Sequence, residues 1–279
     1  MGTRYFGRSP NWTTSRGWCS SCGTTTICRA RWLISKPRAW DSSVSENLDL
    51  QVLTRSDTDG PTPPAMVGKF TAQGEVLACP GNTTLCHVQP ESAAHKAITE
   101  LQNGLKAGPV ADAFAFLPPA SFHMTVFNGV IVTERDAEWW PDHVPDDVDA
   151  ATEYLMPRFQ SVEGFSQVSL RPTALLAGHS LRVSGATDAD EAVLRATRDR
   201  LAAATGLHRK SHASYPFHIT LAYPLRWLTE PEAQAVSDLS QELFAELLSV
   251  LRSFPLGPVE ICRFETMHRF DTLGHVGGG

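Results

Sequence analysis

Two short segments share one pattern. Phe122, His123, Met124, Thr125 and Val126 read aromatic, His, apolar, Thr, apolar; Phe217, His218, Ile219, Thr220 and Leu221 repeat it. Residues two apart on a strand point to the same face. Each segment, folded as a strand, puts an imidazole beside a hydroxyl on one face and three apolar side chains on the other. A half-buried strand normally turns its polar face to solvent. Here that face carries a titratable group next to a hydrogen-bond donor, twice. Two such faces opposed across a groove suit a phosphodiester. One neutral imidazole takes a proton from water or a ribose hydroxyl, and the other, as imidazolium, protonates the leaving oxygen. The Thr125 and Thr220 hydroxyls hold the non-bridging oxygens as charge develops. This chemistry requires no metal and no cofactor.

H-x-[ST] alone is a weak signal, and His212, Ala213 and Ser214 match it in a polar stretch with no strand pattern. A lone strand histidine is ordinarily structural. The doubled apolar frame separates the other two matches from that background. His208, His212 and His218 crowd together in sequence, but no Asp, Glu or Cys joins them nearby and the spacing is not that of a metallohydrolase helix. No metal ligand set is therefore expected.

The elements that must carry the two segments form a repeated plan. Val67–Thr71, Glu75–Cys79 and Thr84–Val88 read as strands. Pro90 opens a helix with Ala94, Ile98, Leu101 and Leu105 on one face. Then comes the strand Phe122–Phe127, closed by Asn128 and Gly129. An acidic link with Trp139 and Trp140, a lid or core pair, leads to a helix over Asp147–Phe159, kinked or stopped by Pro157. The plan then recurs. Gln167–Leu176 and Ser180–Ser184 are strands. Thr187 and Asp190 cap a helix that Gly206 ends. Phe217–Tyr223 is the second motif strand. A helix from about Pro231, with Val236, Leu239, Leu243 and Leu247 inward, and a strand over Val259–Met267 close the chain. Two strand–helix–strand units of similar length, each ending on the same motif, predict a pseudo-twofold molecule.

The chain has 279 residues, 42% hydrophobic and 19% charged, with a net charge of -6. This is ordinary globular composition with no global basic field for nucleic acid. Phosphate binding must be local. No stretch nears the roughly 20 apolar residues of a membrane span. The first acidic residue is Asp41, and before it come Arg4, Arg8, Arg16, Arg29, Arg31, Lys36 and Arg38 among many Ser and Thr. That composition suits a disordered leader or an organelle transit segment. Residues 1–65 are expected to stay off the core, 66–270 to form the domain and 271–279 a flexible tail. The six cysteines complete no zinc site and are expected to be reduced. A cytoplasmic monomer without a protein partner is expected, or a mitochondrial one if residues 1–40 are a transit peptide.

At the two motifs the chain resembles the 2H phosphoesterase superfamily, which includes 2′,3′-cyclic nucleotide phosphodiesterases and bacterial 2′-5′ RNA ligase-like proteins. More narrowly, Val67–Phe70, Pro80–Thr83, Leu117–Pro118, Ser121–Phe127 and Tyr215–Tyr223 resemble a domain-of-unknown-function subgroup. The resemblance covers about residues 66–270. It implies an α+β fold, with two pseudo-twofold-related lobes whose antiparallel sheets and flanking helices surround a central cleft. It implies His123 and His218 as the acid–base pair and Thr125 and Thr220 as phosphate binders. The implied substrate is a cyclic nucleotide or RNA-end phosphodiester, and the alternative is a non-catalytic nucleotide- or RNA-binding module. Ligase-like members often carry a basic residue just beyond the second motif. Here Tyr223 stands there, with Arg226 further on, which favours a small substrate over long RNA. Lys69, Tyr215, Tyr223 and Arg226 are further candidate substrate contacts, although strand parity from His218 puts the two tyrosines in the core.

Overall fold

The structure is a computed structural model that describes residues 51–56, 59–134, 139–165 and 167–278. In chain order its elements are β1 (Gly81–His87), α1 (Ala93–Ala107), β2 (Phe114–Phe116), β3 (His123–Ile131), α2 (Val148–Gln160), β4 (Ser169–Leu176), β5 (Ser180–Gly185), α3 (Asp188–Thr205), β6 (His218–Thr220), β7 (Ala222–Pro224), α4 (Glu230–Val250), β8 (Phe254–Pro255), β9 (Glu260–Thr266) and β10 (Arg269–His275).

The helices start and stop where capping chemistry dictates. Ser92 accepts from the His95 N–H at the start of α1, which buries Ala94, Ile98, Leu101 and Leu105 as its periodicity predicts. Asp147 caps α2, and that helix continues through Pro157 to Gln160. Thr187 and Asp190 form a reciprocal capping box on α3, and Gly206 ends the helix at φ 74°, where a side chain would be strained. At α4, Glu232 accepts from the Thr229 N–H and hydroxyl.

The fold is α+β, but the two lobes do not have separate sheets. One eight-stranded sheet runs β10-β9-β1-β3-β6-β5-β4-β8, and β2 pairs with β7 in a small second sheet. Every neighbouring pair is antiparallel. The motif strands β3 and β6 lie side by side at the middle. The C-terminal β9 and β10 cross back to pair beside β1, so the N-terminal half is completed by the end of the chain. Strand patterning sets which face is buried and leaves the neighbour unspecified. The two expected lobes thus share one continuous antiparallel sheet, joined where β3 meets β6.

Other differences have local causes. The residues expected as strands 67–71 and 75–79 form only the bridge Phe70–Val76, because Gly68 and Gly74 take left-handed conformations there. β3 does not stop at Asn128 and Gly129. The buried Asn82 side chain accepts from the Val130 N–H, which carries the strand past an irregularity in its pairing with β1.

Both domain boundaries move outward. Leu53 is 1% exposed and packs with Phe114, Leu176, Leu228 and Val236. Its carbonyl accepts from the Leu228 N–H, and the Gly60 carbonyl accepts from Trp227 Nε1. Residues 51–65 therefore do not all stay off the core, while 1–50 lie outside the described residues. At the other end, 271–275 belong to β10 rather than a flexible tail, and Val276 is buried against the main core. Cys79, Cys86 and Cys262 are buried free thiols. Among the described residues no helix is long and apolar enough to cross a membrane.

Candidate active site

The motif residues are positioned by the register of four adjacent strands. Met124 pairs with Ile219 across β3 and β6. Antiparallel stepping from that pair sets His123 opposite Thr220 and Thr125 opposite His218. The flanking strands extend both rows: His87 pairs with His123, Leu85 with Thr125, Ser180 with Thr220 and Arg182 with His218. The row between them, Cys86, Met124, Ile219 and Leu181, points the other way and is fully buried. A one-residue slip would exchange the two faces, so core burial itself specifies the site.

Both imidazoles are held by the same local device. His123 Nδ1 lies 2.7 Å from the Ser121 carbonyl, and His218 Nδ1 lies 2.8 Å from the Pro216 carbonyl. A carbonyl only accepts, so each Nδ1 carries the proton and each Nε2 keeps its lone pair. In both cases the acceptor is two residues upstream of the histidine. The intervening Phe122 and Phe217 are 1% exposed and anchor the turn. Burial pulls the His123 pKa down to about 4. The Ser121 carbonyl opposes this, while His87 and His218 add to it. Burial also lowers His218, opposed by the Pro216 carbonyl and reinforced by Arg182 and Lys69. Both rings are therefore neutral near pH 7 in the free protein.

His123, Thr125, His218 and Thr220 line one cleft of about 220 Å³, together with Lys69, Tyr215 and Tyr223. The two tyrosines are thus cleft residues, contrary to parity. The strand breaks at Leu221, whose carbonyl accepts from the Leu117 N–H and from buried Gln102, and whose N–H donates to His179. Alternation counted from His218 does not survive that break. Tyr223 restarts in β7 and donates to Met267 Sδ at 3.3 Å. Tyr215 precedes the strand altogether, with its ring 5.9 Å from that of His218. Lys69 Nζ sits 5.2 Å from the Tyr223 ring centroid. Among the described residues no carboxylate forms an ion pair with it, and burial lowers its pKa while Glu134 raises it. Arg226 is not a cleft residue. Its guanidinium is taken by Glu232, with contacts of 3.0 and 2.8 Å.

The cleft also contains groups that no motif announced. Arg209 pairs with Glu134, donates to the Gly129 carbonyl and stacks 3.7 Å from the Trp139 ring. Trp139 is thus the support of a cleft arginine and partly buried against the core. Phe270 from β10 covers His123, with ring centroids 4.2 Å apart. Behind the cleft lies Arg198 of α3, 4% exposed, donating to the Val126 carbonyl with its guanidinium 4.0 Å from the Tyr215 ring. Burial lowers its pKa to about 10, so it stays charged at neutral pH. Among the described residues it has no ion pair, and its Nε has no hydrogen-bond partner. Burying such a charge costs several kcal/mol, of which a desolvated cation–π contact recovers about 2 or more. With Lys69, Arg182 and Arg209, it makes the site locally positive in a chain of net charge -6.

The histidine-rich 208–218 stretch is not gathered into a ligand set. His212 Nε2 bonds Asp199 at 2.8 Å. Among the described residues one other group, His87, Glu260 and Cys262, brings three ligand atoms within 4.8 Å of one another. It is already closed by hydrogen bonds. His87 Nδ1 lies 3.0 Å from both Glu260 oxygens, and the Thr272 hydroxyl donates to Glu260 as well. Burial would raise the Glu260 pKa, but these donors bring it down to about 2. Burial pushes the Cys262 thiol up to about 12. The three groups are thus engaged with one another and with Thr272, and the His87 ring centroid lies 6.3 Å from that of His123.

The family model described as 2H-phosphodiest, domain of unknown function (DUF1868), matches residues 69–179. That span includes His123 and Thr125 and ends before His218. None of the curated proteins matches the chain. Among solved structures, the conserved protein of unknown function ATU0111 from Agrobacterium tumefaciens str. C58 is 31% identical, with a TM-score of 0.76. The match covers 82% of this chain and 98% of that one. TT0787 of Thermus thermophilus matches at 16% identity over 71% of this chain and 98% of that one, with a TM-score of 0.38.

Proposed function

We propose that this chain, which belongs to the 2H-phosphodiest family, is a metal-independent phosphodiesterase that hydrolyses a cyclic 2′,3′-type or related nucleotide or RNA-end phosphodiester. One observation carries the reading. Two imidazoles, each with Nδ1 fixed by a backbone carbonyl and Nε2 left free, share one cleft face with two threonine hydroxyls.

The geometry supports a concerted role for the four groups. The phosphate occupies the cleft between the His123–Thr220 and Thr125–His218 rows. One neutral Nε2 takes a proton from the attacking water as its oxygen bonds to phosphorus. The other imidazole, protonated once the anion is bound, gives its proton to the departing ribose oxygen as that P–O bond breaks. The threonine hydroxyls donate to the non-bridging oxygens, and Lys69 adds positive charge from the cleft wall. The two rings exchange roles in the reverse direction, each with its Nδ1 held by a backbone carbonyl and its Nε2 free. Tyr223, Tyr215 and Phe270 provide aromatic surface for a nucleoside.

The test is a product-resolved screen of cyclic and linear nucleotide phosphodiesters with the full chain, with and without chelator. Turnover of a cyclic nucleotide that is unchanged by chelator is the expected result. Loss in chelator with recovery on added zinc would overturn the metal-independent mechanism. A protein that binds these compounds without turnover at any pH would be the binding module instead.

A further inference from the structure

We infer that Tyr215 is a further catalytic residue of this site, its phenol donating to the phosphate oxygen that Thr125 also holds, and that Arg198 is its positioning residue. The inference rests on the reading of the cleft as a phosphodiester site.

Three observations converge on Tyr215. It lines the same cleft as Thr125, the threonine that faces His218, and its ring lies 5.9 Å from that of His218, so the phenol belongs to the Thr125–His218 end of the cleft. Its backbone is pinned, since the Tyr215 carbonyl accepts from Arg195 Nη1 at 2.6 Å and Arg195 is itself held by Glu191 at 2.8 Å. Its ring lies on Arg198, a buried guanidinium that no carboxylate neutralises among the described residues. A cation against the face of a phenol draws electron density from the ring and strengthens its O–H as a donor. It also fixes the ring plane. A buried charge left without a counter-ion makes no sense as packing alone. It does make sense behind a site whose ligand is an anion, because the phosphate then supplies the missing negative charge through one ring.

Among the described residues nothing equivalent stands on the His123 side, where Phe270 covers the imidazole and the His87–Glu260 dyad lies behind it. The two motif halves are alike in backbone and unlike in charge. The phosphate therefore leans toward the Thr125–His218 end.

The experiment compares Tyr215→Phe, Arg198→Met and Arg198→Lys in the full chain, on a 2′,3′-cyclic nucleotide. Tyr215→Phe should lower kcat by on the order of 10–10³-fold with little change in KM and none in thermal midpoint. Arg198→Met should lose a comparable factor, the double variant little more, and Arg198→Lys should recover part of it. Wild-type turnover with an unchanged kcat in Tyr215→Phe would overturn the inference. If Arg198→Met fails to fold, the Tyr215→Phe result and the lysine variant decide. If the wild type itself does not turn over, the phosphodiesterase reading fails separately. Tyr215 is then read by ¹³C labelling of its phenol carbon during titration with inorganic phosphate. A shift on binding sustains the contact, and no shift at saturating phosphate overturns it.

Discussion

Protonation of His123 should depend on the substrate. In the free protein its pKa is about 4, chiefly from burial. At pH 6.5 an ordinary imidazole is half charged, whereas one with that pKa is charged in roughly 0.3% of molecules. A phosphate monoanion about 4 Å from the ring attracts the imidazolium by about 4 kcal/mol at an effective dielectric of 20. That raises the proton-binding constant about a thousandfold and returns the group to the neutral range. The site would then hold two bases when free and one acid with one base when loaded. Histidine ¹⁵N spectra of the labelled protein, assigned with His123→Ala and His218→Ala, report this directly. His123 should titrate well below 6.5 when free and move upward with inorganic phosphate. In kinetics, the bell for kcat/KM, which reports the free enzyme, should lie at more acidic pH than the bell for kcat. The reasoning is refuted if His123 titrates at or above 6.5 in the free protein, or if saturating phosphate leaves it unmoved.

Activity measurements should find His123→Ala and His218→Ala each reducing turnover by on the order of 10²–10⁴-fold, with the double variant little worse than either because the pair acts as a unit. Folding stability without phosphate should be full above pH 6.5 and decline as pH falls toward 4. The unfolded chain protonates its histidines near 6.5, while His123, His179 and His218 are held below that value when folded; a flat thermal midpoint over that range would contradict the burial of these rings. Leu53→Ala should cost about 2–5 kcal/mol and lower the melting temperature by several degrees, and an unchanged midpoint would return residues 51–56 to the status of a detached leader.

How much of this was legible beforehand follows the range of each interaction. The motif faces could be read because a period of two is a local property, and the buried row Cys86, Met124, Ile219 and Leu181 enforces it. The α1 face and the Thr187–Asp190 cap were legible for the same reason. The neighbours of β3 were not. That β6 lies on one side of it and β1 on the other is a long-range pairing with no local signature. Tyr223 was misread because one carbonyl, that of Leu221, turns outward to Gln102 and Leu117 and resets the alternation. β10 was missed because Arg269–His275 is mostly exposed and includes Gly274, which suits an edge strand poorly distinguished from a loop. Arg198 and Arg209 were invisible because α3 and the loop after it meet the cleft only in three dimensions.

The placement of β9 and β10 beside β1 has a consequence for the order of synthesis. A ribosome releases both histidine motifs well before Glu260 and Phe270, yet those two residues complete the surroundings of His123. Until the last strands dock, β1 presents an open edge and the first imidazole lacks its cover. The nascent chain therefore carries every reactive side chain while its cleft is still unfinished. Closure of the sheet by β9 and β10 makes their docking and the assembly of the site a single event, and until then the unpaired edge of β1 is where the growing chain is most open to mispairing and to chaperones.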